Sequence, residues 1–230
     1  MARDDRVGLS LAVAWLAISL VHLFLAFLWA PDPASTAWAD PVAFRIFFFH
    51  VPLAWAGYLA FGIVFAASIA FLRTRSPKWD RLAASSAEVG VVLTSFGLVT
   101  GAIWQEAETG EYWRWDDARL FTTFVLWLVY VAYVALRSTG EGGEGEARMS
   151  AIYGIVAFAS VPISFFSVRL LPALHPPPGS REYMTPTYGA VLLVGVVALT
   201  VLYVVLLRQR LALRTQALSL EDAKQAMEGD

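Results

Sequence analysis

Six stretches of the chain are apolar at nearly every position over about twenty residues: 9–29, 46–72, 83–104, 120–136, 150–171 and 188–207. A bilayer's hydrocarbon core takes roughly 20 helical residues to cross. The pattern predicts an all-α integral membrane protein, a six-transmembrane-helix bundle. The first run follows a basic start (Arg3, Arg6) and leads into Trp29-Ala30-Pro31 with no small-residue cleavage site, so it reads as a retained helix rather than a signal peptide. Of the 17 basic residues, twelve lie on the side of the two termini, in segments such as Arg73 to Arg81 and Arg208 to Lys224. By the positive-inside rule both termini are expected to be cytoplasmic, with outer loops at 30–45, 105–119 and 172–187. The expected organisation is a membrane domain over 1–210 and a short polar cytoplasmic tail over 211–230. The linker 138–146, rich in Gly and Glu, reads as a solvated connector.

Composition reinforces the pattern. Of 230 residues 58% are hydrophobic and only 16% charged, too little polar material to cover a water-soluble globule. A net charge of −2 offers no basic surface for nucleic acid. With no Cys, thiol catalysis, disulfides and Cys-ligated metal are excluded. No Gly-x-x-x-x-Gly-Lys-Ser/Thr occurs, so the chain has no nucleotide-binding loop of that kind.

Three features of the outer side carry candidate chemistry. His50, in Phe47-Phe48-Phe49-His50-Val51-Pro52, stands at the outer end of the second span. Ionisable groups at membrane depth are costly and often functional, and imidazole is a common metal ligand. The competing reading is that His50 satisfies a backbone carbonyl left short of a donor by Pro52. His175, in Leu174-His175-Pro176-Pro177-Pro178, is held by three prolines near the outer end of the fifth span. A loop His is commonly just solvated, but topology places this one at the depth of His50, and two facing imidazoles suit both axial positions of a haem iron. The third feature is Tyr112-Trp113-Arg114-Trp115-Asp116-Asp117-Ala118-Arg119, preceded by Trp104. It suits a flat apolar ligand with carboxylates, the aromatics stacking on its face and Arg114 and Arg119 at its acids. The alternatives are an interfacial aromatic belt and a loop folded on its own ion pairs.

The remaining polar features read as structural. His22, within the first span, reads as a hydrogen-bonded structural residue, and Ser85-Ser86-Ala87-Glu88 has the spacing of a capping box opening the third span. Gly57, Gly97, Gly101, Gly154 and Gly189 are expected to permit close helix packing.

The stretch Trp113-Arg114-Trp115-Asp116 with Ala118-Arg119-Leu120 resembles the tryptophan-rich signature of the WWD group of haem-handling membrane proteins. Arg45-Ile46 and His50-Val51-Pro52-Leu53-Ala54-Trp55 before it, and Ser167-Val168-Arg169 with Leu174-His175 after it, resemble more narrowly the CcmC family of cytochrome c maturation. The resemblance covers about residues 44 to 190. It implies a multi-pass protein of the inner (cytoplasmic) membrane that binds haem b, iron protoporphyrin IX, at its outer face. It further implies His50 and His175 as axial metal ligands, with Trp104, Tyr112, Trp113, Trp115, Asp116, Arg119 and Arg45 around the porphyrin. The implied partners are the haem chaperone CcmE, the transporter subunits CcmA and CcmB, often the small protein CcmD, and the lipid bilayer. Two departures stand out. The family's Trp-Asp-Ala-Arg-Leu is here Trp115-Asp116-Asp117-Ala118-Arg119-Leu120, one Asp longer, and the loop opens on Thr109-Gly110 where a Trp-Gly is usual. No acid–base pair or nucleophile is placed for bond-making, so the chain reads as a binding and delivery protein, not an enzyme. The alternatives are a haem-lyase-type enzyme acting on apocytochrome and a metal-free permease subunit.

Overall fold

The computed structural model describes residues 2–33, 40, 42–138, 143–171, 173 and 184–228. Their regular structure is helical throughout: α1 (Ala2–Phe24, continued by a π turn over Leu25–Trp29), α2 (Phe47–Thr74, entered through a 3-10 turn at Ala43–Ile46), α3 (Pro77–Thr109), α4 (Ala118–Ser138), α5 (Glu144–Ala157), α6 (Ser160–Leu170) and α7 (Pro186–Glu228). Six helices are long and apolar enough to cross a membrane, α5 and α6 together forming the fifth. The protein is a multi-pass all-α membrane bundle, as the apolar runs predict.

Helices α2 and α3 pack along each other as the centre of the bundle; α1 and α7 cover one side, α4 to α6 the other. The side chains of α1 at Leu9, Val13, Leu16, Leu20 and Leu23 are exposed and apolar, a lipid-facing stripe. The tight turn between α2 and α3 uses Arg75 in the left-handed region (φ 55°), its N–H returned to the Phe71 carbonyl at 2.7 Å. Ser76 is extended before Pro77, as a residue preceding proline must be, and Pro77 opens α3 at the position where its missing N–H costs nothing.

That start corrects two expectations. The third span begins at Pro77 rather than 83, so Ser85, Ser86 and Glu88 lie inside α3 and form no capping box. Ser86 and Glu88 are cross-braces instead. The Ser86 hydroxyl donates to the Ala60 carbonyl and meets the Tyr203 hydroxyl, both at 2.7 Å, and Glu88 pairs with Arg210 and Arg214 of α7. The helix also runs on past Trp104 to Thr109. Residues 208–228 continue α7 without a break.

The fifth span is interrupted at Phe158-Ala159 because Pro162 cannot donate to the Phe158 carbonyl, which takes the Val161 N–H at 3.0 Å instead. Near the N-terminal end of the bundle Arg137 and Asp80 form a two-point ion pair (2.7 and 2.8 Å) with both side chains mostly buried. Glycines do open close approaches: a Cβ at Gly57 would meet Thr94 Oγ1 at 2.6 Å, and one at Gly154 would meet Ser68 Oγ at 2.8 Å. Gly97 and Gly189 face open space.

Gly90 lies at a close part of the α2–α3 contact, where a Cβ would stand 2.7 Å from Phe61 Cε1 and 2.9 Å from Ala60 Cβ. Phe61 has nowhere to go, being stacked on Tyr130 at 3.6 Å. Gly90→Ala is expected to destabilise the bundle by about 1–3 kcal/mol, read as a lower thermal midpoint in detergent. Gly8→Ala, into open space, serves as the control, and equal midpoints for the two would show that the helix pair absorbs the methyl group.

Candidate functional site

His50 sits in the first turn of α2 and points across to α3. Its Nδ1 lies 3.1 Å from the Gly97 carbonyl oxygen and 3.1 Å from Thr100 Oγ1. The Thr100 hydroxyl donates back to the Phe96 and Gly97 carbonyls (2.9 and 3.0 Å), so towards the imidazole it offers lone pairs. Both neighbours therefore accept, which assigns the proton to Nδ1 and the lone pair to Nε2. A neutral imidazole with one nitrogen bonded to a carbonyl is the form in which His ligates metal. Gly101 makes room for the ring: a Cβ there would come within 3.0 Å of His50 Cε1. The carbonyl freed by Pro52 belongs to Phe48, whereas His50 turns to Gly97 and Thr100; the ring that faces that carbonyl is His22.

His50 and Arg119 line one cavity with Tyr58, Thr94 and Thr123, of about 30 Å³, room for about two water molecules. The Arg119 Nη1 donates to the Ser164 and Phe165 carbonyls, both at 2.9 Å, midway along α6. Its guanidinium also lies 6.0 Å and 5.8 Å from the ring centres of Tyr58 and Phe165. Below it the hydroxyls of Tyr58 and Thr123 both meet Ser164 Oγ, at 3.0 and 2.9 Å. Arg45 is placed differently. It grips the end of the first span through the Ala26 and Ala30 carbonyls and pairs with Asp32 at 2.6 Å.

The loop joining α3 to α4 begins where Gly110 turns left-handed (φ 78°) to end α3. Trp113 packs edge-on against Trp115 and Phe124, ring centres 5.4 and 5.3 Å apart, and Trp115 stands over Phe121 and Phe124. The result is an aromatic ledge on the first two turns of α4. Tyr112 and Trp115 remain about two-thirds exposed, while the Trp113 indole N–H is buried with no partner. Arg114 binds both carboxylate oxygens of Asp116 (3.1 and 2.6 Å), and that bond holds the Asp116 carboxyl below the usual carboxylate range. Whatever the exposed pair contributes is present above the ordinary Asp value near 3.9 and lost as pH falls through the lowered one. Asp117 is buried and accepts the Leu120 N–H at 2.9 Å, the N-cap of α4.

The structure thus brings His50 and Arg119 to one cavity and sets the Trp113–Trp115 ledge on the helix that carries Arg119. His175 lies outside the described residues. Sequence reasoning passed over Thr100 and Ser164; a hydroxyl between Gly97 and Gly101 in an apolar span was the available signal for Thr100.

Asp117→Ala is expected to cost about 1–2 kcal/mol through loss of the cap and to change the emission of the loop tryptophans, whereas Asp116→Ala should stay within about 0.5 kcal/mol. Thermal unfolding with intrinsic fluorescence checks both, and the reverse order would move the structural role to Asp116.

Comparison with known proteins agrees with this geometry. The model of the family described as "CcmC: Heme exporter protein C" matches residues 4–228. The chain is 32% identical over 196 residues to Heme exporter protein C of Bradyrhizobium diazoefficiens, covering 84% of this chain and 74% of that one. It is also 32% identical over 166 residues to Heme exporter protein C of Escherichia coli, covering 71% and 66%. A ccmC-like mitochondrial protein of cytochrome c biosynthesis from Marchantia polymorpha is 31% identical over 150 residues, 65% of this chain and 63% of that one. Matched almost end to end by that model, the chain belongs to the CcmC family.

Proposed function

We propose that this protein binds haem b at the extracytoplasmic face of the inner membrane and delivers it for cytochrome c maturation, with His50 and His175 as the axial ligands. The observation that carries the reading is the His50 tautomer: Nδ1 is committed to the Gly97 carbonyl and Thr100, so the lone pair sits on Nε2. A His that served only to satisfy the proline-freed carbonyl would have bonded Phe48, whereas His50 bonds Gly97 and Thr100.

The cavity beside His50 is far too small for a porphyrin, so the macrocycle approaches from outside the helix packing. There the aromatic ledge of Trp113 and Trp115, with Tyr112 and Trp104, supplies apolar faces for its ring. Arg119 spends only Nη1 on protein carbonyls, which leaves N–H donors for a propionate. Arg45, neutralised by Asp32, is the weaker candidate and serves mainly to tie the first span to α2. Asp116 shapes the loop through Arg114. The proposed recipient is the chaperone CcmE, which displaces one His, with CcmA, CcmB and CcmD as the surrounding complex. The covalent step then belongs to the recipient, and this chain binds and presents.

Purified in detergent with haem supplied, the wild type is expected to give a low-spin six-coordinate spectrum, and His50→Ala and His175→Ala should each lose haem or turn high-spin. A colourless wild type under conditions that load a control haem protein, or unchanged spectra in both variants, would overturn the assignment. Gly101→Val is expected to mimic His50→Ala in the spectrum, because its Cβ would occupy the place of the imidazole edge. A wild-type spectrum for Gly101→Val would show that the ring has another resting place.

A further inference from the structure

Pro52 lies inside α2 and has no N–H, so the Phe48 carbonyl one turn earlier loses its helical donor. Within a bilayer no water replaces such a donor. His22 of the first span stands beside the gap. It is 2% exposed and its ring faces the Phe48 backbone carbonyl. Its Nε2 is buried with no partner, which leaves Nδ1 for that carbonyl. The ring lies 4.9 Å from that of Phe49 and against Gly195 of α7, where a Cβ would stand 2.6 Å from Nε2 and 2.9 Å from Pro52 Cγ. Enclosed in this way His22 has no path to a porphyrin. Its effect on one must pass through α2.

We propose that His22 is a positioning residue for His50. By donating to Phe48 it closes the gap that Pro52 opens, and so it fixes the first turn of α2 in which His50 follows two residues later. That turn has to be held accurately, because the His50 imidazole must reach Gly97 and Thr100 across to α3 with its Nδ1 while keeping Nε2 for iron. The three residues form one device: the proline frees a carbonyl, the histidine of a neighbouring helix takes it, and a glycine on α7 leaves space for the ring that does so. The inference rests on the reading of His50 as a haem ligand.

The test compares wild type, His22→Leu, His22→Asn, Pro52→Ala and the double variant His22→Leu with Pro52→Ala, each loaded with haem in detergent. Spectra, midpoint potentials and haem retention through gel filtration are measured. His22→Leu is expected to retain haem about tenfold less well, the low end for losing a group that orients a ligand, with a high-spin component and a shifted potential. His22→Asn keeps an N–H near the Nδ1 position and should return most of the low-spin signal. Pro52→Ala supplies the missing N–H, so the double variant should also recover. A folded His22→Leu with wild-type spectrum, potential and retention overturns the proposal, as does a double variant no better than His22→Leu. If His22→Leu does not fold, the double variant decides: folded and low-spin supports the device, unfolded overturns it. A colourless wild type is a separate outcome, overturning the haem reading itself and this role with it.

Discussion

In hydrocarbon a backbone carbonyl must find its donor inside the protein, and the end of this bundle that holds His50 is organised by that constraint. Three of the side chains singled out there are bonded to the main chain of another helix or turn: His50 to the Gly97 carbonyl, Arg119 to the Ser164 and Phe165 carbonyls, and Arg45 to those of Ala26 and Ala30, while the His22 ring faces the Phe48 carbonyl. The side chains that look like ligand-binding groups are thus also stitches between helices. The two uses are compatible for the reason that makes His and Arg suitable here: each carries more than one nitrogen, so one can serve the fold and another a ligand.

The same constraint explains why cations occur on a side where few are expected. Arg45 sits at the C-terminal end of a helical segment, the π turn ending at Trp29, where carbonyls point outward and positive charge is favoured, and Arg119 is held by two carbonyls midway along α6. Proline acts as the generator of such sites. Pro162 breaks the fifth span locally and its freed carbonyl is absorbed by a tighter turn, while Pro52 leaves α2 continuous and requires a partner from outside. One residue type has two outcomes, decided by whether a donor stands near.

The six spans were legible because each is an unbroken apolar run of bilayer length, and His50 because an imidazole among phenylalanines has few ordinary reasons to be there. The freed carbonyl was legible too, from Pro52 alone, but its partner was not: His22 and His50 are equally plausible in one dimension, and only the packing of α1 on α7 brings the former to Phe48. The third span's start was misplaced because Ser85, Ser86 and Glu88 have the chemistry of a helix beginning, whereas their partners Ala60, Tyr203, Arg210 and Arg214 are remote in sequence. The doubled Asp behaves likewise. Only burial separates Asp117, which caps a helix, from Asp116, which pairs with a loop arginine.

The last helix carries a consequence of its length. Over its 43 residues α7 is one rod, keyed at two heights: Gly195 gives space to His22, and Arg210 and Arg214 grip Glu88. At 1.5 Å per residue these keys are about 22 Å apart along the axis. Since each residue advances the helix by about 100°, a slip of one position at either key would bring Val194 or Val196 against the imidazole. The angular setting of the rod at its far end is therefore locked to the seating of a ring beside the turn that carries His50, and a torque applied to one would be felt at the other.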